Sequence, residues 1–164
     1  MKVELNQFSE KHIPALCQLL NNENISKWLL QIPFPYTFQD AEFWINKCKE
    51  NPEVKKDFAF AIETEGSLIG GIGLHIKSEH SAEVGYWLGE KHWGKGYMSE
   101  ALKEITNYAI NELTLVRITA HVFEGNIRSE KLLIKNGYEY EGFLKKSHKK
   151  GEIYFNTKLY AKVI

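Results

Sequence analysis

Between Leu88 and Ser99 the chain sets two glycines two residues apart, Gly94 and Gly96, in a run that also carries Lys91, Trp93, Lys95, Tyr97 and Met98. Strand-like sequence precedes this run and helix-like sequence follows it. A helix start offers free backbone N–H groups and a partial positive charge, which suits the oxygens of a phosphate. Glycines let the main chain approach those oxygens with no side chain in the way. An ordinary strand-to-helix turn would look the same, so the loop needs its context. Two other phosphate loops fit less well. Gly89 through Lys95 has Walker spacing, but Gly96 stands where the Mg²⁺-holding Ser or Thr belongs. Gly94-x-Gly96-x-x-Ser99 lacks the third glycine of a dinucleotide turn.

The elements that must position this loop are legible from periodicity. Val3, Leu5 and Phe8 suggest a short first strand, and Ile13, Leu16, Leu19 and Leu20 share one helical face after Ser9–His12. Residues 28–36 are apolar but carry Pro33 and Pro35, which predicts a loop or broken helix. Thr37 and Asp40 form a capping box for a helix bearing Ala41, Trp44, Ile45 and Cys48. Strands follow over 58–62, 68–76 and 81–88, the first two joined by a turn at Glu65-Gly66. In the third, Ala82, Val84, Tyr86 and Leu88 alternate with Glu83, Gly85 and Trp87. The helix after the glycine loop has a stripe of Met98, Ala101, Leu102, Ile105, Tyr108 and Ala109. A strand over 116–122, a helix over 126–136 ended by Gly137, and a terminal hairpin of 138–146 with 153–163 complete the chain. The order predicts one α+β (mixed α/β) domain over residues 1–164 with a mostly antiparallel sheet.

Composition narrows the chemistry. Lys+Arg and Asp+Glu both number 21, so there is no basic excess of the kind that drives direct nucleic-acid binding. No run of about 20 apolar residues exists to span a membrane. The charged start, Lys2 and Glu4, does not read as a signal peptide. Cys17 and Cys48 lie apart with no CxxC and no His at ligand spacing, which argues against a disulfide framework or a metal site and for the cytoplasm.

The segment from Ala82-Glu83-Val84-Gly85-Tyr86-Trp87-Leu88 through Trp93-Gly94-Lys95-Gly96-Tyr97-Met98-Ser99-Glu100-Ala101-Leu102 resembles the acetyl-CoA-binding motif of the GNAT N-acetyltransferase superfamily. Asn126-Ile127-Arg128-Ser129 through Lys135-Asn136-Gly137-Tyr138, followed by Glu141-Gly142, resembles that superfamily's next motif. Both are closest to the branch acting on ribosomal-protein N-termini, the RimJ/RimL type, and the resemblance covers nearly the whole chain. It implies a twisted sheet whose two parallel middle strands, 82–88 and 117–123, splay into a V with helices on either side. It also implies an acetyl-CoA-dependent N-acetyltransferase with no metal. The acceptor would be a primary amine, such as a protein N-terminus, attacking directly in a ternary complex. A small-amine acetyltransferase (polyamine, amino sugar or antibiotic) and a non-catalytic CoA-binding module are the alternatives, and a homodimer is compatible with either.

On this resemblance, acetyl-CoA is held by Trp87, Leu88, Lys91, Trp93, Gly94, Lys95, Gly96, Tyr97, Met98, Ser99 and Asn126. Backbone groups of Trp87 and Leu88 pair with the pantetheine arm, and an N–H near Leu88 faces the thioester oxygen. Lys91 stands where the family has Gln or Arg. Ser129 lies near the thiol, while Leu133 occupies the position where many relatives carry an acidic Tyr. Glu83 is the expected general base, with a pKa raised by apolar walls; the plain alternative is an exposed strand Glu. Asn126 also suits a helix cap. His75 and His121 sit on strands that line the cleft, although a lone strand His is more often structural. Trp28, Phe34 and Tyr36 form an acceptor wall or, alternatively, core. Lys145–Lys150 is read as a solvated turn, with contact to an acidic ribosomal or CoA phosphate surface as the alternative.

Overall fold

The computed structural model describes residues 2–164, without the side chains of Glu53 and Lys55; Met1, the start of the expected domain, lies outside the described residues. Seven strands form one sheet: β1 (Glu4–Gln7), β2 (Asp57–Thr64), β3 (Ser67–Ser78), β4 (Ser81–Leu88), β5 (Arg117–Phe123), β6 (Glu139–Lys150) and β7 (Ile153–Val163), in the order β1-β2-β3-β4-β5-β7-β6. Neighbours are antiparallel except for β4 and β5.

Period-two alternation sorts side chains between two cores. Phe58, Ile72, Leu74, Val84, Ile118, Ala120 and Val122 face the helices α5 (Tyr97–Asn111) and α6 (Ile127–Lys135). The stripe of Met98, Ala101, Leu102, Ile105 and Ala109 meets them there. Ala61, with Phe8, lies on the opposite side under α1 (Ile13–Leu20) and α3 (Phe38–Cys48). α3 begins at the expected capping box, in which the Asp40 N–H donates to Thr37 Oγ1 at 3.2 Å and the Thr37 N–H donates to Asp40 Oδ2 at 2.7 Å. Two single-turn helices, α2 (Glu23–Ser26) and α4 (Pro52–Lys55), were not foreseen, being too short to show periodicity.

The terminal hairpin departs from expectation. β6 runs to Lys150, and a bulge between Leu144 and His148 absorbs the middle of the basic run. Lys150 is not a solvated turn residue. Its ammonium donates to the carbonyls of Ser26 (3.2 Å), Leu29 (2.7 Å) and Ile32 (3.3 Å), tying the hairpin to the front loop, and burial lowers its pKa.

The feature that prepares a site is the parallel pair. β4 and β5 pair only at Ser81–Arg117, Ala82–Ile118 and Glu83–Thr119. Beyond Glu83 they diverge, β4 keeping β3 and β5 keeping β7 to their ends. The expected V is therefore present, with its apex at Glu83.

Candidate active site

An opened parallel pair leaves backbone groups without a ladder, and strand parity says which. The Gly89 N–H donates to Ile69 O at 2.8 Å, so odd-numbered residues of β4 point their backbone groups at β3. Val84, Tyr86 and Leu88 therefore present N–H and C=O to the gap. Trp87 does not, which corrects the pairing expected of it. Its side chain instead packs against the second core near Phe8. The Leu88 carbonyl already accepts from the Trp93 indole at 2.7 Å, leaving the Leu88 N–H on the gap edge. A peptide-like arm entering the gap would meet an unused strand edge.

At the wide end of the V the glycine loop delivers α5. Gly94 and Gly96 have φ of 74° and 85°, left-handed values that glycine adopts without strain, and a Cβ at either would meet only open space. Gly96 is the N-cap and has no side chain to cap the first turn, so the amides of Tyr97, Met98 and Ser99 are left for an external anion. Lys91 and Lys95 are exposed beside them. Met98 is a core side chain and contributes only its backbone, while the Ser99 hydroxyl is committed to Asn136 Oδ1 at 3.0 Å. Trp93 is fixed from above by the Arg128 guanidinium, 3.8 Å from its ring. An open cleft of about 320 Å³ runs between this pair, Trp28, Glu90 and Asn126.

On the same face stands the start of α6. Asn126 caps it, its Oδ1 accepting from the Ser129 N–H at 3.3 Å, as the capping alternative held. Ser129 Oγ is 2.7 Å from Tyr86 Oη. Leu133 is fully buried in the first core. Tyr86 thus brings a phenol from β4 against Ser129, and burial raises its pKa, which keeps it protonated. Sequence reasoning missed Tyr86 because its partner lies 43 residues away.

Glu83 faces the other side of the sheet, at the apex. Its Oε2 is 2.8 Å from Lys77 Nζ, and its Oε1 is 3.2 Å from His121 Nδ1. The latter is an ion-pair distance rather than a hydrogen bond, and Nδ1 is buried without a hydrogen-bond partner. The expected rise in pKa is reversed. The His121 ring, opposed by burial and aided by Lys77, holds the carboxyl at about 2. His121 also stands 5.3 Å from the ring of His148, which follows the bulge in β6. The apex is thus a small basic cluster around one carboxylate, and among the described residues it does not form a metal-holding group.

The proposed acceptor residues divide. Trp28 borders the cleft, its ring 3.8 Å from where a Cβ on Gly125 would lie. Tyr36 is second-core, only 6% exposed, with its phenol pKa raised by burial. Phe34 is exposed. His75 lies opposite Glu83 in the β3–β4 ladder, but its Nδ1 is bonded to Asp57 on β2. Among the described residues no helix is long and apolar enough to cross a membrane.

Comparison with known proteins agrees with this geometry. Residues 2–139 match the acetyltransferase (GNAT) domain model. The chain is 32% identical over 158 residues to the N-acetyltransferase YnaD of Bacillus subtilis (strain 168), covering 96% of this chain and 91% of that protein. It is 30% identical over 168 residues to the ribosomal-protein-serine acetyltransferase of Escherichia coli (strain K12), covering 99% and 93%. A GNAT-family acetyltransferase structure from Bacillus anthracis superposes with a TM-score of 0.86 at 26% identity, covering 99% and 95%. A RimL ribosomal L7/L12 α-N-protein acetyltransferase in complex with coenzyme A shares the fold, with a TM-score of 0.88 at 22% identity over 100% of this chain and 95% of that one.

Proposed function

The chain belongs to the GNAT acetyltransferase family, in its RimJ/RimL-like branch, and from that premise we propose that it transfers the acetyl group of acetyl-CoA to the N-terminal amine of a protein or peptide. One observation carries the reading: the V between β4 and β5 joins an anion cradle on one face to a carboxylate–imidazole cluster on the other. The amides of residues 97–99 would grip the diphosphate, with Lys91 and Lys95 adding charge. The gap edge of Val84, Tyr86 and Leu88 would take the pantetheine arm as an added strand. Asn126 holds the turn that carries Ser129.

Acetyl-CoA supplies an activated acyl carbon. The amine nitrogen attacks it, the C–N bond forms, and the C–S bond breaks with its electron pair going to sulfur. The Leu88 N–H faces the carbonyl oxygen as negative charge grows, a contribution worth about 10²–10³ in rate for a well-placed donor. Ser129, hydrogen-bonded to Tyr86, is placed to protonate the departing thiolate. The amine loses its proton on the Glu83 side of the gap. Cys17 and Cys48 sit on α1 and α3, off the gap strands, which supports direct transfer over a cysteine-bound intermediate.

The apex also speaks to the acceptor. At the apex the single carboxylate, Glu83, is already paired with Lys77, so no surplus of negative charge is left there for a polyamine. A peptide with one amine suits that arrangement better, as does the relative named for ribosomal-protein serine. The test is calorimetry with CoA and acetyl-CoA, then thiol release with peptides bearing a free N-terminal Ser or Ala and with spermidine. Absence of CoA binding at millimolar concentration overturns the reading; turnover of spermidine in preference to the peptides overturns the acceptor class.

A further inference from the structure

Glu83 already has a partner facing each oxygen, Lys77 Nζ at 2.8 Å from Oε2 and His121 Nδ1 at 3.2 Å from Oε1, so an incoming amine would compete with groups already in place. The next polar group along is the imidazole of His121. Its Nδ1 is buried against Glu83, whereas Nε2 is not among the buried nitrogens without a partner, and the side chain as a whole keeps 22% of its surface. Phe123 and Phe155, stacked at 4.8 Å, and the ring of His148, 6.0 Å from Phe123, build a wall beside it.

We propose that His121 Nε2, not Glu83, takes the proton from the acceptor amine, with Glu83 acting as the positioning residue that holds the ring and its tautomer. The proposal rests on the acetyl-transfer reading and assigns the proton within it. As the C–N bond forms, the proton on nitrogen passes to Nε2; the imidazolium produced faces Glu83 through Nδ1–H and later releases the proton to solvent. This division of labour pairs a proton-accepting nitrogen with a carboxylate that stabilises the charge.

Every element packed around the ring agrees. From β4, Glu83 faces the ring; from β3, Lys77 pairs with that carboxylate; from β6, His148 has its pKa lowered by burial and by the nearby His121 and Lys77, against Glu83. On β7 the residue opposite His121 is Leu159. Glu83 by itself is a weak base. With its pKa held at about 2, only about one carboxyl in 10⁵ carries a proton at neutral pH.

The test uses the full chain, acetyl-CoA and a peptide with a free N-terminal serine. His121→Ala is expected to lose about 10²–10⁴ in kcat, the range for a general base, with its Kd for CoA within twofold of wild type. Added imidazole should restore part of that rate, which a merely structural role would not allow. Glu83→Gln is expected to lose about tenfold with no response to imidazole, in keeping with a positioning role. Retention of a third or more of kcat in His121→Ala, or a larger loss in Glu83→Gln than in His121→Ala, overturns the proposal. Nitrogen-15 NMR reads the same pair without any acceptor. Wild type should show neutral His121 with its proton on Nδ1, and Glu83→Gln should lose that preference; a proton on Nε2 in wild type overturns the proposal. Failure of CoA to bind the wild-type protein would instead remove the acetyl-transfer reading.

Discussion

Replacing Gly96 by Ala separates the fold from the cofactor cradle. Gly96 has φ of 85°, and a Cβ there would touch nothing within 4 Å. The methyl therefore clashes with no protein atom, and the cost to the fold is the left-handed backbone alone, about 1–2 kcal/mol for a non-glycine residue. Taken from a typical stability of about 5–15 kcal/mol, that leaves the protein more than about 99% folded. The empty space at Gly96 is the approach to the free amides of α5, so the same methyl obstructs the diphosphate. Loss of one hydrogen bond to a charged group costs about 1.5–3 kcal/mol, which raises the Kd for CoA roughly ten- to a hundredfold. The control is Gly66 in the β2–β3 turn, with φ of 73° and equally open surroundings but outside the glycine loop and the start of α5. Gly66→Ala should show the same loss in urea unfolding and no change in calorimetric Kd. Equal CoA affinity in Gly96→Ala and wild type, or equal weakening by both variants, would refute the reasoning.

Two further outcomes are expected. Glu63 is 3% exposed, and although burial pushes its pKa up, Lys11, His12 and Asn6 together hold it at about 2. Its folded pKa lies below the unfolded value of about 4.3, so its contribution of about 3 kcal/mol is present above that value and is lost as pH falls through about 2. Glu63→Gln should therefore be destabilised by about 2–3 kcal/mol at pH 7 in urea unfolding, with the gap to wild type closing towards pH 2.5; a pH-independent gap would be inconsistent with the ion pair. Tyr86→Phe should lower kcat about tenfold, the size of one hydrogen bond of about 1.4 kcal/mol, with KM for acetyl-CoA unchanged, because only the contact to Ser129 is removed. Unaltered single-turnover kinetics would take Tyr86 out of the proton path.

What the sequence alone determined is what near neighbours decide. Alternation from Ala82 to Leu88 set the two faces of β4, the Thr37–Asp40 box started α3, and Gly94 and Gly96 marked a side-chain-free loop ahead of α5. Each of these depends on groups within a few residues of one another. The tertiary structure alone decided which strand edge is open, because that depends on pairing stopping at Glu83–Thr119. It also reversed the expected pKa of Glu83, since Lys77 comes from β3 and His121 from β5. The same long-range packing moved Tyr36 from the acceptor wall into the core and brought Tyr86 to Ser129. A titratable group takes its character from the charges that surround it in space, and pattern along one chain does not carry the pairing between distant strands that puts them there.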